Sequence, residues 1–156
     1  MRLVLVALAL FTCSCSSRQP QPSAEPQPKA AEKPKPRDET QRFPLANRVD
    51  TKVVDDKLMG KDFMPGGTIA HYKRGKLEYD MFVAKMASAN QAAITLPDWQ
   101  KALTGAKLVP SFGGYFGDDN GRPIFVFSKD AWIAGIAGLP EKQADLEART
   151  LASRLN

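Results

Sequence analysis

The chain has 156 residues, with 22 Lys and Arg, 17 Asp and Glu, and a formal net charge of +5. This charge does not indicate nucleic-acid binding, because residues 45–156 hold 15 basic against 13 acidic residues, a difference of only +2. Both cysteines, Cys13 and Cys15, precede this region. The region therefore has no disulfide, no thiolate metal ligand and no cysteine nucleophile.

The first element is an apolar run at the N-terminus. After Arg2, Leu3 to Phe11 is unbroken by any polar residue. As a helix this run is only about 14 Å long, less than half of the roughly 30 Å hydrocarbon core of a bilayer. Residues 1–17 are therefore predicted to be a signal peptide with its processing site rather than a membrane span.

The end of the run resembles the lipobox of bacterial lipoproteins, since cysteine and small residues follow it. Leu10 and Thr12 stand at −3 and −1 of Cys13, whereas Thr12 and Ser14 do so for Cys15. The resemblance implies a lipidated cysteine carrying acyl chains such as palmitate, Cys15 rather than Cys13, because Ser14 supplies the small residue at −1. Two acyl chains would anchor the protein stably to a membrane. The alternative is a secretory signal without a lipid.

Either reading places the mature protein outside the cytoplasm. The residues after both candidate cysteines are serine, with no aspartate among them. That pattern resembles sorting to the outer membrane, facing the periplasm, rather than retention in the inner membrane. Residues 18–44 hold seven of the twelve prolines and predict a disordered, extended tether, since they bury too little apolar surface to offset their ordering entropy.

Residues 45–156 are long enough for one small domain. Asn47 to Val54 is either a short strand or an irregular lead-in. Thr68–Lys73 and Lys76–Lys85 are predicted to form a hairpin that turns at Arg74-Gly75. In the second strand an apolar face alternates with a face that holds Glu78 and Asp80; the apolar residues are Leu77, Tyr79, Met81 and Val83.

Ser88 opens a helical pattern through Leu103, ending before Gly105 and interrupted by Pro97. It predicts either a kinked helix or two pieces, with Thr95 capping the second.

Three more strands and a helix complete the predicted domain. Asn120-Gly121 predicts a tight hairpin turn between a strand that follows Ser111 and the apolar strand Arg122–Ser128. A turn at Lys129-Asp130 leads to the strand Ala131–Ala137. Pro140 then begins a helix with an apolar stripe. The order ββα-βββα predicts an α+β fold, an antiparallel sheet of about five strands with both helices on one face.

Few residues suggest catalysis. His71, Glu78, Asp80 and Ser111 are the candidates for a hydrolase or transferase site, although one histidine offers no metal cluster and no second base. Asp118-Asp119-Asn120-Gly121 resembles part of a calcium loop, but its carboxylates are adjacent rather than alternate, which favours a hairpin turn. No metal or cofactor is expected.

Five aromatic residues fall in neighbouring predicted strands and are expected to be core: Tyr115, Phe116, Phe125, Phe127 and Trp132. The alternative is an apolar groove beside Gly113 and Gly114. The glycine-containing strand and terminal-helix pattern of 67–72, 112–117 and 132–140 also resembles uncharacterised extracytoplasmic bacterial proteins, a likeness that implies no activity.

The expected function is a lipid-anchored envelope protein that binds an envelope protein or glycan without catalysis. An envelope hydrolase or transferase and an apolar-ligand carrier are the alternatives.

Overall fold

The computed structural model of the chain describes residues 35–110 and 112–156. Within these residues lie strands β1 Arg48–Asp56, β2 Pro65–Arg74, β3 Leu77–Lys85, β4 Thr104–Val109, β5 Gly114–Asp119, β6 Arg122–Lys129 and β7 Trp132–Ala137. The helices are α1 Ala89–Ala102 and α2 Glu141–Ala152, and short 3₁₀ turns occupy Thr40–Arg42 and Leu58–Gly60. The predicted signal peptide, both cysteines, residues 18–34 of the predicted tether and Ser111 lie outside the described residues.

The strands form one antiparallel sheet in the order β1-β2-β3-β7-β6-β5-β4. The α+β class is confirmed, but the predicted sheet of about five strands is wrong, because the described residues contribute seven in the order βββα-ββββα. The two strands absent from the predicted order are β1 and β4, which form the two edges of the sheet. Most of their side chains are exposed, so their sequences lack the alternation of a half-buried strand.

The two helices pack on opposite faces of the sheet, and the expectation of both on one face is wrong. On β6, Phe125 and Phe127 contact the core beneath α2, whereas Ile124 and Val126 contact the core beneath α1. Successive side chains of a strand point to opposite faces, so these two cores are the two sides of the sheet. The central strand β7 is accordingly buried at every residue.

Helix α1 is one continuous helix despite Pro97. Its N-cap is Ser88, whose Oγ accepts a hydrogen bond from the Gln91 backbone N–H at 3.1 Å. Thr95 does not cap a second piece, because its hydroxyl donates to the Gln91 carbonyl one turn earlier. The buried residues Ala92, Leu96 and Trp99 hold the helix on the sheet, which outweighs the lost backbone bond at Pro97.

Helix α2 packs as its apolar stripe predicts. Ala144, Ala148 and Leu151 are fully buried, as is Leu155 just beyond the helix. The helix begins at Glu141, one residue later than predicted, with Pro140 as its N-cap. Among the described residues, no helix has the length and apolar character needed to span a membrane.

The Asn120-Gly121 turn lies where the sequence places it, whereas the turns predicted at Arg74-Gly75 and Lys129-Asp130 each lie one residue later. Asn120 and Gly121 both have positive φ angles, of 56° and 88°, as a type I′ turn requires. Gly75 in the β2–β3 turn has a φ of 63°. Gly105 has a φ of 63° as well, but it lies inside β4, where the register with β5 shifts, and not at the end of α1. Gly105 therefore marks a bulge in the edge strand β4 and does not mark the end of α1.

The chain before β1 contacts the sheet over the face that carries α2. We call residues 35–44 the N-terminal strap. Phe43 is only 1% exposed and belongs to the core beneath α2, and Glu39 is buried as well. Tyr72 on β2 donates its hydroxyl to the Pro44 carbonyl at 2.8 Å. The strap falls within the predicted tether of residues 18–44, and it forms part of the folded unit.

Candidate functional site: a cationic cleft beside the N-terminal strap

A cleft of about 330 Å³ opens between the strap and the ends of β2 and β3. The strap forms one wall, the first residues of β2 form another, and the end of β3 forms the floor. The lining residues are Lys35, Pro36, Arg37, Glu39, Pro65, Gly66, Gly67, Val83 and Lys85. The cleft thus combines a glycine-containing backbone surface with four charged side chains.

The strap is fixed beside the cleft by Thr68, a fully buried residue of β2. The Thr68 hydroxyl accepts a hydrogen bond from the Glu39 backbone N–H at 3.1 Å and donates to the Arg37 carbonyl at 3.4 Å. Thr40 makes a further hydroxyl contact with Thr51 on β1, at 3.0 Å. One buried hydroxyl therefore satisfies two backbone groups of the strap and sets its distance from the sheet.

The one carboxylate of the cleft lining is already neutralised. Glu39 accepts a charge-assisted hydrogen bond from Arg42 Nε at 2.7 Å, and its side chain is only 10% exposed. Arg42 also donates to the Arg154 carbonyl at 2.9 Å, and its guanidinium lies 4.4 Å from the centre of the Trp132 ring. Glu39 therefore does not offset the other charges of the cleft.

Three cations remain in the lining, on Lys35, Arg37 and Lys85. The described part of the chain provides no carboxylate within ion-pair distance of any of them. The Lys85 ammonium lies 5.3 Å from the centre of the Trp132 ring, which the Arg42 guanidinium also contacts. A concave surface whose three cations lack a partner among the described residues attracts an anionic group, a carboxylate or a phosphate.

Glycine is required at the wall of the cleft for close packing. A Cβ at Gly67 would collide with the Val83 carbonyl on β3 and would lie 2.9 Å from Leu58 Cδ2. At Gly66 a Cβ would lie 2.5 Å from the Asp55 carbonyl carbon on β1. Any side chain at these positions would therefore displace the strands that form the cleft.

Among the predicted catalytic candidates, the structure brings His71 and Asp80 together. They are paired across β2 and β3, and His71 Nδ1 lies 2.7 Å from Asp80 Oδ1. Arg122 on β6 donates to the second oxygen, Asp80 Oδ2, at 2.7 Å and to the Ala137 carbonyl at 3.2 Å. The Asp80 carboxylate thus links β2, β3 and β6, with β7 lying between β3 and β6. No hydroxyl or thiol of the described residues contacts the His71 imidazole.

Glu78 lies on the same face of β3 but belongs to a separate pair. It pairs with Lys73 across the hairpin at 2.5 Å, with both side chains half exposed. The hydrogen bond from Lys73 lowers the pKa of the Glu78 carboxyl, which keeps it ionised. Glu78 therefore acts as a solvent-exposed ion-pair partner in this structure.

The acidic turn after β5 is engaged within the fold. Asp118 accepts a hydrogen bond from the Gly121 backbone N–H at 2.6 Å, as expected for a hairpin turn. Asp119 forms an ion pair with Lys61 at 2.6 Å, with both side chains 14% exposed. Over the described residues, no group of three or more potential ligand side chains has metal-binding geometry.

The predicted aromatic set divides between the two faces of the sheet. Phe125, Phe127 and Trp132 are buried in the core beneath α2, as the core interpretation predicts. Phe116 packs at the edge of that core, whereas its neighbour Tyr115 packs against the core beneath α1. The five rings therefore do not line a common groove.

The sequence does not predict the cleft, because four of its nine lining residues lie in the segment predicted to be a tether. Lys35, Arg37 and Glu39 precede the predicted domain, and the signal that could have indicated a folded core there is the large apolar residue Phe43. Lys85 ends a strand that the sequence predicts together with its hairpin partner β2, but nothing in the sequence predicts that the strap lies beside it.

A scan of the chain against protein-family models, curated proteins and solved structures finds no match in any of the three comparisons.

Proposed function

We propose that this protein is anchored to the cell envelope by a lipid and binds an anionic envelope component in the cationic cleft, without catalysis. The observation that carries the proposal is the set of three cations on Lys35, Arg37 and Lys85, none of which has a carboxylate partner among the described residues. Since Glu39 is paired with Arg42, the cleft offers a net positive charge to an incoming group. Carboxylates and phosphates are the anionic groups that such side chains bind.

The N-terminal sequence supports the anchor. Cys15 is the proposed acyl acceptor, with Cys13 as the alternative, and residues 18–34 supply a proline-rich tether. The serines after these cysteines favour the periplasmic face of the outer membrane. Lys35 in the cleft lining directly follows this tether, so the cleft lies at the point where the tether joins the folded domain.

The binding experiment uses full-length protein and two anionic probes, purified cell-wall sacculi and vesicles containing phosphatidylglycerol. Binding to the first indicates carboxylates of the wall polymer, and binding to the second indicates lipid phosphates. Vesicles of phosphatidylcholine are the neutral control. Arg37→Glu combined with Lys85→Glu is expected to weaken binding roughly tenfold or more, since it replaces attraction by repulsion.

The matched control is Lys76→Glu. Lys76 carries the same charge in the β2–β3 turn, at the far end of the two strands that border the cleft. This variant is expected to bind like wild type. Equal loss of binding in the control and the cleft variant, or retention in both, would contradict the role of the cleft.

The anchor is tested by the intact mass of mature protein isolated from membranes, for wild type, Cys13→Ala and Cys15→Ala. The expected result is a diacylglycerol-type mass increment that disappears in Cys15→Ala and persists in Cys13→Ala. A mass increment that disappears in Cys13→Ala instead would show that Cys13 is the acylated residue. An unmodified wild-type chain would rule out the lipid anchor.

A further inference from the structure

Among the described residues, strand β1 has a neighbouring strand on one side of its backbone and none on the other. It is the edge of the sheet, and over Val49–Asp55 the described residues supply no backbone hydrogen bond to its outer side. Val49 and Val53 are 60% and 38% exposed, so apolar side chains accompany this open edge. Long exposed edges are templates for pairing with another strand.

The sequence of β1 is complementary to itself when it is paired antiparallel about Thr51. In that register Asp50 lies opposite Lys52 of a second copy, within the part of β1 that is paired regularly with β2. Val49 lies just before this part, where the register between β1 and β2 shifts. The two-fold axis repeats the Asp50–Lys52 pair, giving two opposite-charge pairs around a central threonine pair. Directly opposed residues of opposite charge stabilise antiparallel strands.

The neighbouring two-fold registers are disfavoured by charge. Centring the pairing on Lys52 places two ammonium groups directly opposite each other, and centring it on Asp50 does the same for two carboxylates. Like charges in directly opposed positions are destabilising. The pattern Asp-Thr-Lys therefore selects the register centred on Thr51.

We infer that two copies of this protein associate through β1 to form a continuous sheet across a two-fold axis at Thr51. The occupant of the edge is thus a second copy of the chain, as in other isologous contacts. Anchoring both copies to one membrane would raise their local concentration and favour this contact. The inference rests on β1 alone and does not depend on the ligand of the cleft.

The first test is a charge exchange in full-length, detergent-solubilised protein, with molar mass measured by sedimentation equilibrium over a concentration series. Asp50→Lys creates two lysine pairs across the axis and Lys52→Asp creates two aspartate pairs. Each single variant is expected to weaken dimerisation by about tenfold or more. The double variant Asp50→Lys, Lys52→Asp restores both opposite-charge pairs and is expected to dimerise like wild type.

The second test is position-specific oxidation. Opposed residues in an antiparallel pair have Cα atoms about 4.5–5.5 Å apart, within the range of a disulfide. Thr51→Cys is therefore expected to give a covalent dimer under mild oxidation. Lys52→Cys is the matched control, because the two copies of position 52 are diagonal to each other and not opposed. The wild-type protein is the control for any disulfide formed by Cys13 or Cys15.

A wild-type protein that is monomeric at every concentration would overturn the inference. So would single variants with wild-type dimerisation, a double variant that stays monomeric while retaining its circular dichroism spectrum, or equal crosslinking at positions 51 and 52.

Discussion

Phe82 on β3 lies directly opposite Gly135 on β7, and its ring occupies the space that a side chain at position 135 would need. A Cβ at Gly135 would lie 2.6 Å from Phe82 Cε1 and 2.5 Å from the Phe125 carbonyl oxygen. The Phe82 ring in turn stacks on Trp99 of α1, with ring centres 5.7 Å apart. The glycine thus allows a large ring to lie flat between the sheet and the helix.

Gly135→Ala is expected to destabilise the domain by about 1–3 kcal/mol, because the added methyl group overpacks a site with no room. The measurement is the free energy of unfolding in urea. In a Phe82→Leu background the same substitution should cost less, since the shorter side chain vacates part of the space. An equal cost in both backgrounds would show that the Phe82 ring is not the obstacle.

Phe43→Ala tests whether the strap contributes to folding. Removing a buried phenylalanine side chain costs about 3–5 kcal/mol, and Phe43 is 1% exposed in the core beneath α2. Leu45→Ala is the matched control, because Leu45 is 77% exposed and its truncation should change stability by less than about 0.5 kcal/mol. Similar small losses for both variants in urea unfolding would mean that the folded unit begins after the strap.

Stability is expected to fall at alkaline pH because of two stacked tyrosines. The rings of Tyr72 and Tyr79 lie 5.0 Å apart and are buried. Burial raises the pKa of Tyr72 above its ordinary value and raises the pKa of Tyr79 to about 12. The unfolded value is about 10, so the protonated tyrosines contribute fully below that pH, and their contribution is lost as pH rises through the folded pKa values.

The measurement is the free energy of unfolding from about pH 8 to pH 12, with tyrosinate absorbance followed in parallel. Tyr79→Phe should show a smaller loss over the alkaline part of this range, because one ionisable group is removed. A pH dependence identical to that of wild type would contradict the assignment of Tyr79 as a contributing group.

Several elements were predictable because their signals are local. The turn at Asn120-Gly121, the N-cap at Ser88 and the stripe of α2 each depend on residues within a few positions of one another. The continuous apolar run Ile124–Phe127 is typical of a strand covered on both faces, and its side chains do enter the cores on both sides of the sheet. That run already conflicted with placing both helices on one face.

The sequence by itself thus determined the α+β class, the central strands, both helices and the turns that join the hairpins, because periodicity and turn chemistry are carried by neighbouring residues. Only the tertiary structure decided the edge strands, the opposite placement of the helices, the inclusion of the strap and the cleft. Lys35 and Lys85, 50 positions apart in the sequence, line one cleft only because Thr68 holds the strap against β2. Contacts between distant segments have no local periodicity, so they emerge only when the sheet brings those segments together.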